Sequence, residues 1–392
     1  MDAQKPSRAA WSALTAAWFG WVLDAFDFSI FFLVMPKIAA EFGVPIKSTA
    51  ASVTLTLLVR LLGSFAAGWA ADRFGRKWPL MISIVWFSVC DGLVAIAPTF
   101  AMVVVLRVLF GFGMGAEWTA GATLAMEAWP AKTRGFASGV LQAGWAVGYL
   151  LASQVYALVM PIYGWRALFV IAALPALIVL PIRFFVPDTK PAPRASSAEP
   201  RASAELVRRV ALASFVLAFG FAVYFALTTF LPTLLQKEHG FDEAGVGRNV
   251  AWFNVGMLIG APVCGWLAGR VHPMKAIALC VVFAPLTAPL AVGWAGPEWM
   301  VLGALLVGAF AGGPSGVTPV WLSTLFPAWF RARGTGLCYH FAAFAAAFTP
   351  FAVAAIAEGG VGFSDTVVYA VAVLAWAQVL VLLVIPKTAE SG

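Results

Sequence analysis

Stretches of about twenty mostly apolar residues recur along almost the whole chain, and this repetition constrains the fold more than any single motif. A helix needs about 20 such residues to cross a hydrocarbon core roughly 30 Å thick. Inside that core the backbone finds no water, so an isolated span must satisfy its own N–H and C=O groups as a helix. Spans fall at about 12–36, 48–71, 79–97, 100–128, 135–158, 165–186, 209–235, 246–268, 275–294, 298–322, 334–356 and 364–385. The sequence therefore predicts an all-α membrane protein with twelve transmembrane helices. With 62% hydrophobic and 11% charged residues and a mean hydropathy of +0.90, too little polar surface remains for a soluble domain. Lys5 and Arg8 precede the first apolar run, but the many later spans argue against a cleaved leader as its meaning.

The net charge of +7 is a topology signal. Most of the twenty-five Lys and Arg, among them Arg73, Arg76, Lys77, Lys132, Arg134, Arg208, Arg209, Arg270, Lys275, Arg331 and Arg333, fall on one side of the predicted spans. By the positive-inside rule both termini are expected in the cytoplasm of a bacterial-type inner membrane, with no nucleic-acid partner. The four cysteines lie within apolar spans without paired spacing, and neither a disulfide nor a metal or other cofactor is expected.

The segment after Pro187 (PDTKPAPRASSAEPRASAELVRR) is polar and too poor in apolar residues to fold alone. It divides the chain into a six-helix half at 1–186, a cytoplasmic linker at 187–208 and a second six-helix half at 209–392. The halves echo one another at an offset close to half the chain. Gly68 corresponds to Gly265, Gly111 to Gly308, and Arg134-Gly135 to Arg333-Gly334. Small residues at four-residue spacing, such as Gly256/Gly260 and Gly308/Gly312, are read as close helix packing.

Between spans two and three the chain reads Gly68-Trp69-Ala70-Ala71-Asp72-Arg73-Phe74-Gly75-Arg76-Lys77. This resembles the GxxxDRxGRK loop of the major facilitator superfamily, whose two parallel six-helix halves hold a substrate site near the midplane. The resemblance implies a conformational latch formed by Gly68, Asp72, Arg73, Gly75 and Arg76. In the second half Gly269 replaces the acid, so a weaker latch is expected there. Arg107 to Trp118 (RVLFGFGMGAEW) is similar to the RxxxGxGxGxEW segment of sialate/lactate and aromatic-acid proton symporters, and Asp24-Ala25-Phe26-Asp27 to their DxxD motif. The length of the chain is closer to lactate-type members than to the longer sialate carriers. The fragment GFGMGA also matches a dinucleotide fingerprint, but that motif needs a preceding strand in a soluble fold.

An ionisable group costs about 2.5 to 3.5 kcal/mol at the centre of a span, so each one is a functional candidate. Asp24 and Asp27 lie one turn apart on span one; Arg60 sits about 18 Å along span two from Asp72; Arg107 and Glu117 belong to span four. Asp24, Asp27 and Glu117 are the candidate proton carriers, and Arg60 and Arg107 the candidate anion ligands. For Asp24, Asp27 and Arg107, structural pairing between helices is the other reading. Asp91 is set aside as an edge or paired residue. The second half offers Tyr224, Asn254, Tyr339 and His340 as neutral cavity contacts, while Trp21 and Trp118 are deep enough to line a cavity. Arginine stays protonated and binds a carboxylate through two parallel hydrogen bonds. Protonating an acid that holds such an arginine would free it for a substrate anion.

The leading functional expectation is thus a proton-coupled importer of a monocarboxylate such as lactate or pyruvate, acting as a monomer by alternating access. Sialic-acid or aromatic-acid symport is the alternative. Span five lacks the proline of the GxxxGPxxGG exporter segment, so export loses ground. A sensor is expected to carry a long signalling tail, whereas the chain stops soon after Ile385. Neither a nucleophile–base set nor a GxxxxGK[ST] loop is present, so neither an enzyme nor a nucleotide-driven pump is expected.

Overall fold

The computed structural model describes residues 6–74, 77–115, 118, 122, 125–126, 129–174, 204–326 and 331–384, with the backbone alone at 9, 67–69, 71–74, 77–80, 131, 323, 331–333 and 384. Among these residues there is no strand. Eight helices are long and apolar enough to cross a membrane, and two shorter apolar helices cover Met81–Val94 and Phe100–Met114. A further helix, Arg8–Glu41, has the length to cross but carries Asp24 and Asp27. The continuous helix Arg134–Ala172 breaks at Gly164, whose φ of 73° and ψ of −179° admit glycine readily and turn the chain into the next span.

In chain order the helices are α1 (Arg8–Glu41), α2 (Ile46–Phe74), α3 (Lys77–Val94), α4 (Phe100–Met114), α5 (134–163), α6 (165–172), α7 (Ala204–Lys237), α8 (Glu243–Ala268), α9 (Pro273–Ala291), α10 (Pro297–Leu322), α11 (Gly334–Val361) and α12 (Phe363–Val384). Helix α7 begins at Ala204, so residues 204–208 of the expected linker are helical. Residues 187–203 lie outside the described residues. Local chemistry explains several starts. Ser7, Thr99 and Asp242 each accept a hydrogen bond from a first-turn amide, which satisfies one of the donors that a helix leaves open.

The internal repeat reappears as helix crossings. A Cβ on Gly111 of α4 would lie 2.2 Å from the Thr56 carbonyl oxygen of α2, and a Cβ on Gly308 of α10 would lie 1.9 Å from that of Phe253 on α8. Both residues of the first pair precede those of the second by 197 positions. Gly63 against the Phe112 oxygen and Gly260 against the Ala309 oxygen repeat the same offset. Only a residue without a side chain lets the backbones approach so closely. Helix α10 then departs from α geometry, with a π turn at Gly308–Gly312 and a 3-10 turn at Gly313–Val317. Pro314 has no N–H to continue the ladder there.

Helices α1–α6 and α7–α12 meet along α5 and α8 and are tied together at the end where α1 passes into α2. Lys37 of α1 donates to Glu243 of α8 at 2.8 Å. The Glu358 carboxylate of α11 accepts from the backbone N–H of Ile46 at 2.9 Å and of Lys47 at 3.3 Å, capping α2 from another part of the chain. Removing both ties (Lys37→Ala with Glu358→Ala) is expected to loosen this end. Spin labels at Pro45 and Gly359 should show a distribution shifted to longer distances, and an unchanged distribution would contradict the role given to these contacts.

Candidate transport site

Between the two sets of helices lies a cavity whose empty space, counted together with the solvent at its opening, is about 760 Å³. Its wall combines residues of α1, α2, α5 and α7–α12. Six aromatic side chains face it: Trp21, Trp145, Phe221, Tyr224, Phe225 and Tyr339. The cation on its wall is Arg60. The guanidinium carbon of Arg60 stands 5.8 Å from the ring centroids of both Trp21 and Tyr339, so aromatic faces from α1 and α11 flank the charge.

Arg60 reaches Asp24 at 3.8 Å. That separation allows charge attraction but is too long for a hydrogen bond. Accordingly Nε and Nη2 of Arg60 and both carboxylate oxygens of Asp24 have no hydrogen-bond partner among the described residues. The indole Nε1 of Trp21, on the same wall, is also without one. The α1–α2 side of the cavity thus carries a permanent cation, and the buried donors Nε and Nη2 of Arg60 and Nε1 of Trp21 have no partner among the described residues, chemistry that suits a carboxylate.

A second arginine is held differently. Arg107 of α4 donates to Asp91 of α3 at 2.9 Å, with both side chains almost completely buried. The rings of Phe110, Phe31 and Phe28 surround its guanidinium at 4.1, 4.8 and 5.9 Å. Asp27 is fully buried and acts electrostatically on Arg107, as Arg107 does on Asp24. Asp24, Asp27, Arg60, Asp91 and Arg107 therefore form one electrostatic network across α1–α4. Three carboxylates oppose two guanidinium groups, leaving one excess negative charge when all are ionised.

Residues 17–290 match the Major Facilitator Superfamily, which is more than half of the chain. The chain belongs to this superfamily. It is an all-α, multi-pass membrane transporter with twelve helices in two pseudo-symmetric sets. Similar superfamily members include the cis,cis-muconate transport protein of Acinetobacter baylyi, 27% identical and matching 89% of this chain and 88% of its own. The sialic acid transporter NanX of Escherichia coli is 28% identical, over 84% and 83%. A probable 4-methylmuconolactone transporter of Cupriavidus pinatubonensis is 31% identical, over 83% and 78%.

Of the residues singled out in the sequence, Trp21, Arg60, Tyr224 and Tyr339 line the cavity of this superfamily member, with Asp24 directly behind Arg60. The Tyr224 hydroxyl accepts from Trp145 Nε1, which joins α7 to α5. Tyr339 stacks on Trp118 at 3.5 Å and 17°, while Trp118 Nε1 donates to Gln142. Arg107 does not reach the cavity; the aspartate set aside in the sequence, Asp91, holds it. Asn254 donates to the Val250 carbonyl of its own helix and is also away from the cavity wall. His340 is buried beside Tyr339, with ring centroids 5.6 Å apart, and does not line the cavity. Glu117, Gly75 and Arg76 lie outside the described residues, as do the side chains of Asp72 and Arg73; Gly68 is placed within α2. Gln142, Trp145 and Gln378 line the cavity without having been singled out. The signal for Gln378 was present as an amide within the apolar run of span twelve.

Proposed function

We propose that this transporter is a proton-coupled symporter importing a small organic anion, whose carboxylate binds Arg60. The observation that carries the reading is the long Arg60–Asp24 pair on the cavity wall, with its donors unsatisfied. Arginine keeps its charge, so Arg60 needs an anion in every state of the cycle. With the site empty that anion is Asp24. A proton taken up by Asp24 from the outer solution releases Arg60 to the substrate. Proton and anion enter together, so the loaded network carries no more charge than the empty one, and no added charge has to move through the membrane in the helix movements of alternating access. Asp27 and Glu117 complete the proton route, and the loop carrying Asp72 and Arg73 latches the bundle.

The basic loops favour an orientation with both termini in the cytoplasm of the bacterial inner membrane, in which the tied end faces outward. One chain holds the whole cavity, in keeping with a monomer. Lactate and pyruvate fit the carboxylate requirement. The six aromatic side chains of the wall favour a planar, unsaturated acid over lactate, in line with the muconate and muconolactone named for two relatives.

The test is uptake of labelled lactate and 4-hydroxybenzoate into proteoliposomes, with and without an inward proton gradient. Accumulation in the wild type should require the gradient, whereas Asp24→Asn should exchange substrate across the membrane without concentrating it. Full gradient-driven accumulation by both Asp24→Asn and Asp27→Asn would refute the coupling scheme. No uptake of any organic acid would refute the substrate class.

A further inference from the structure

The part of the wall formed by α7–α12 carries chemistry that anion binding does not use. Gln378 of α12 lines the cavity, is only 3% exposed, and belongs to a helix that is otherwise apolar around it. Its amide orientation follows from its one partner. Nε2 donates to the Val216 carbonyl of α7 at 3.0 Å, which leaves Oε1 as the other end of the group, and Oε1 has no hydrogen-bond partner among the described residues. A carbonyl oxygen buried without a donor is an expensive arrangement, and it is rational where a ligand supplies the donor. Gly220 of α7 makes the space, since a Cβ there would stand 3.0 Å from Gln378 Nε2. Ser315, in the 3-10 turn of α10, is a second cavity-lining residue whose buried hydroxyl has no partner among the described residues.

The unsatisfied groups are thus divided between the two sets of helices. Trp21 Nε1 and Arg60 supply donors on the α1–α2 side, and Gln378 Oε1 supplies an acceptor on the α7–α12 side. Aromatic rings lie between them: Tyr339 faces Arg60 at 5.8 Å and meets Phe221 at 4.9 Å, and Phe221 adjoins Gly220. We infer that Gln378 is a specificity-determining residue, selecting organic acids that carry an O–H or N–H group at the end remote from the carboxylate. This assignment rests on the organic-anion reading of the cavity and deepens it, since it names a feature the substrate must have beyond its charge. A site built to accept from a substrate hydroxyl discriminates against the analogue lacking it, because the acceptor is then left unpaired.

The test is binding to the purified full-length protein in lipid nanodiscs, using matched acids: 4-hydroxybenzoate against benzoate, and 6-hydroxyhexanoate against hexanoate. The wild type should prefer the hydroxylated member of at least one pair by about tenfold, the scale of one buried hydrogen bond. Gln378→Leu should bring that ratio to about one. Gly220→Ala, which crowds the amide without removing it, should also lower the ratio and gives a second reading if Gln378→Leu does not fold. A wild type without preference, or a preference intact in folded Gln378→Leu, would overturn the assignment while leaving the organic-anion reading in place. No binding by any of the four acids would remove that reading and this assignment together. Arg60→Ala separates the two, because it should weaken both members of a pair equally.

Discussion

Arg60→Ala is expected to abolish uptake of every organic acid the protein carries, while the purified variant remains folded. The interaction lost under the proposed scheme is a charge-assisted, two-point contact between Arg60 and a substrate carboxylate. Removing one partner of a buried charge pair costs about 2 to 5 kcal/mol, equivalent to roughly 30- to several-thousand-fold in affinity. The fold should survive because Asp24 is not locked to Arg60 by a hydrogen bond. Arg60→Lys should recover only part of the activity, since an ammonium lacks the planar fork. Uptake and thermal unfolding in detergent, measured on the same preparations, check both halves of this expectation.

Arg107→Met should behave in the opposite way, with large damage to stability. Arg107 is hydrogen-bonded to Asp91 at 2.9 Å, ringed by three phenylalanines and not part of the cavity wall. Taking away one member of such a pair leaves an uncompensated buried charge, a loss of about 3 to 5 kcal/mol. Replacing both members with apolar residues of similar size (Arg107→Met with Asp91→Leu) removes the orphaned charge and should recover much of that loss. The unfolding midpoints of the single and double variants decide the matter; a single variant as stable as wild type would mean that the pair is not structural. The two arginines thus separate a substrate ligand from a helix anchor by what each variant loses.

Much of the architecture was legible because it is written in long-period features. Apolar runs of spanning length, the GxxxDRxGRK-like loop and the recurrence of Gly111 at Gly308 need only the order of residues, and the crossings at these glycines repeat with the same spacing in space. Arg60 and Asp24 stood out because a charge in an apolar span is conspicuous wherever its helix turns. Partner choice was harder to see. Whether Arg107 meets Asp91 or a substrate depends on how α3 and α4 are rotated about their axes, which local sequence does not encode. Asn254 looked like a cavity contact because its type is polar, but its side chain turns back to Val250. Gln378 escaped notice because it is uncharged and its helix is the last of twelve; only the packing of α7 around Gly220 brings it to the cavity.

The exchange of Arg60 between Asp24 and a substrate carboxylate is the centre of the proposed mechanism, and proton uptake on binding tests it most directly. Purified protein in weakly buffered detergent, with a pH indicator dye and a saturating pulse of the acid that binds, should take up about one proton for each molecule bound. Asp24→Asn should bind the same acid with no proton uptake. Binding by the wild type without proton uptake, or undiminished uptake by Asp24→Asn, would contradict the account.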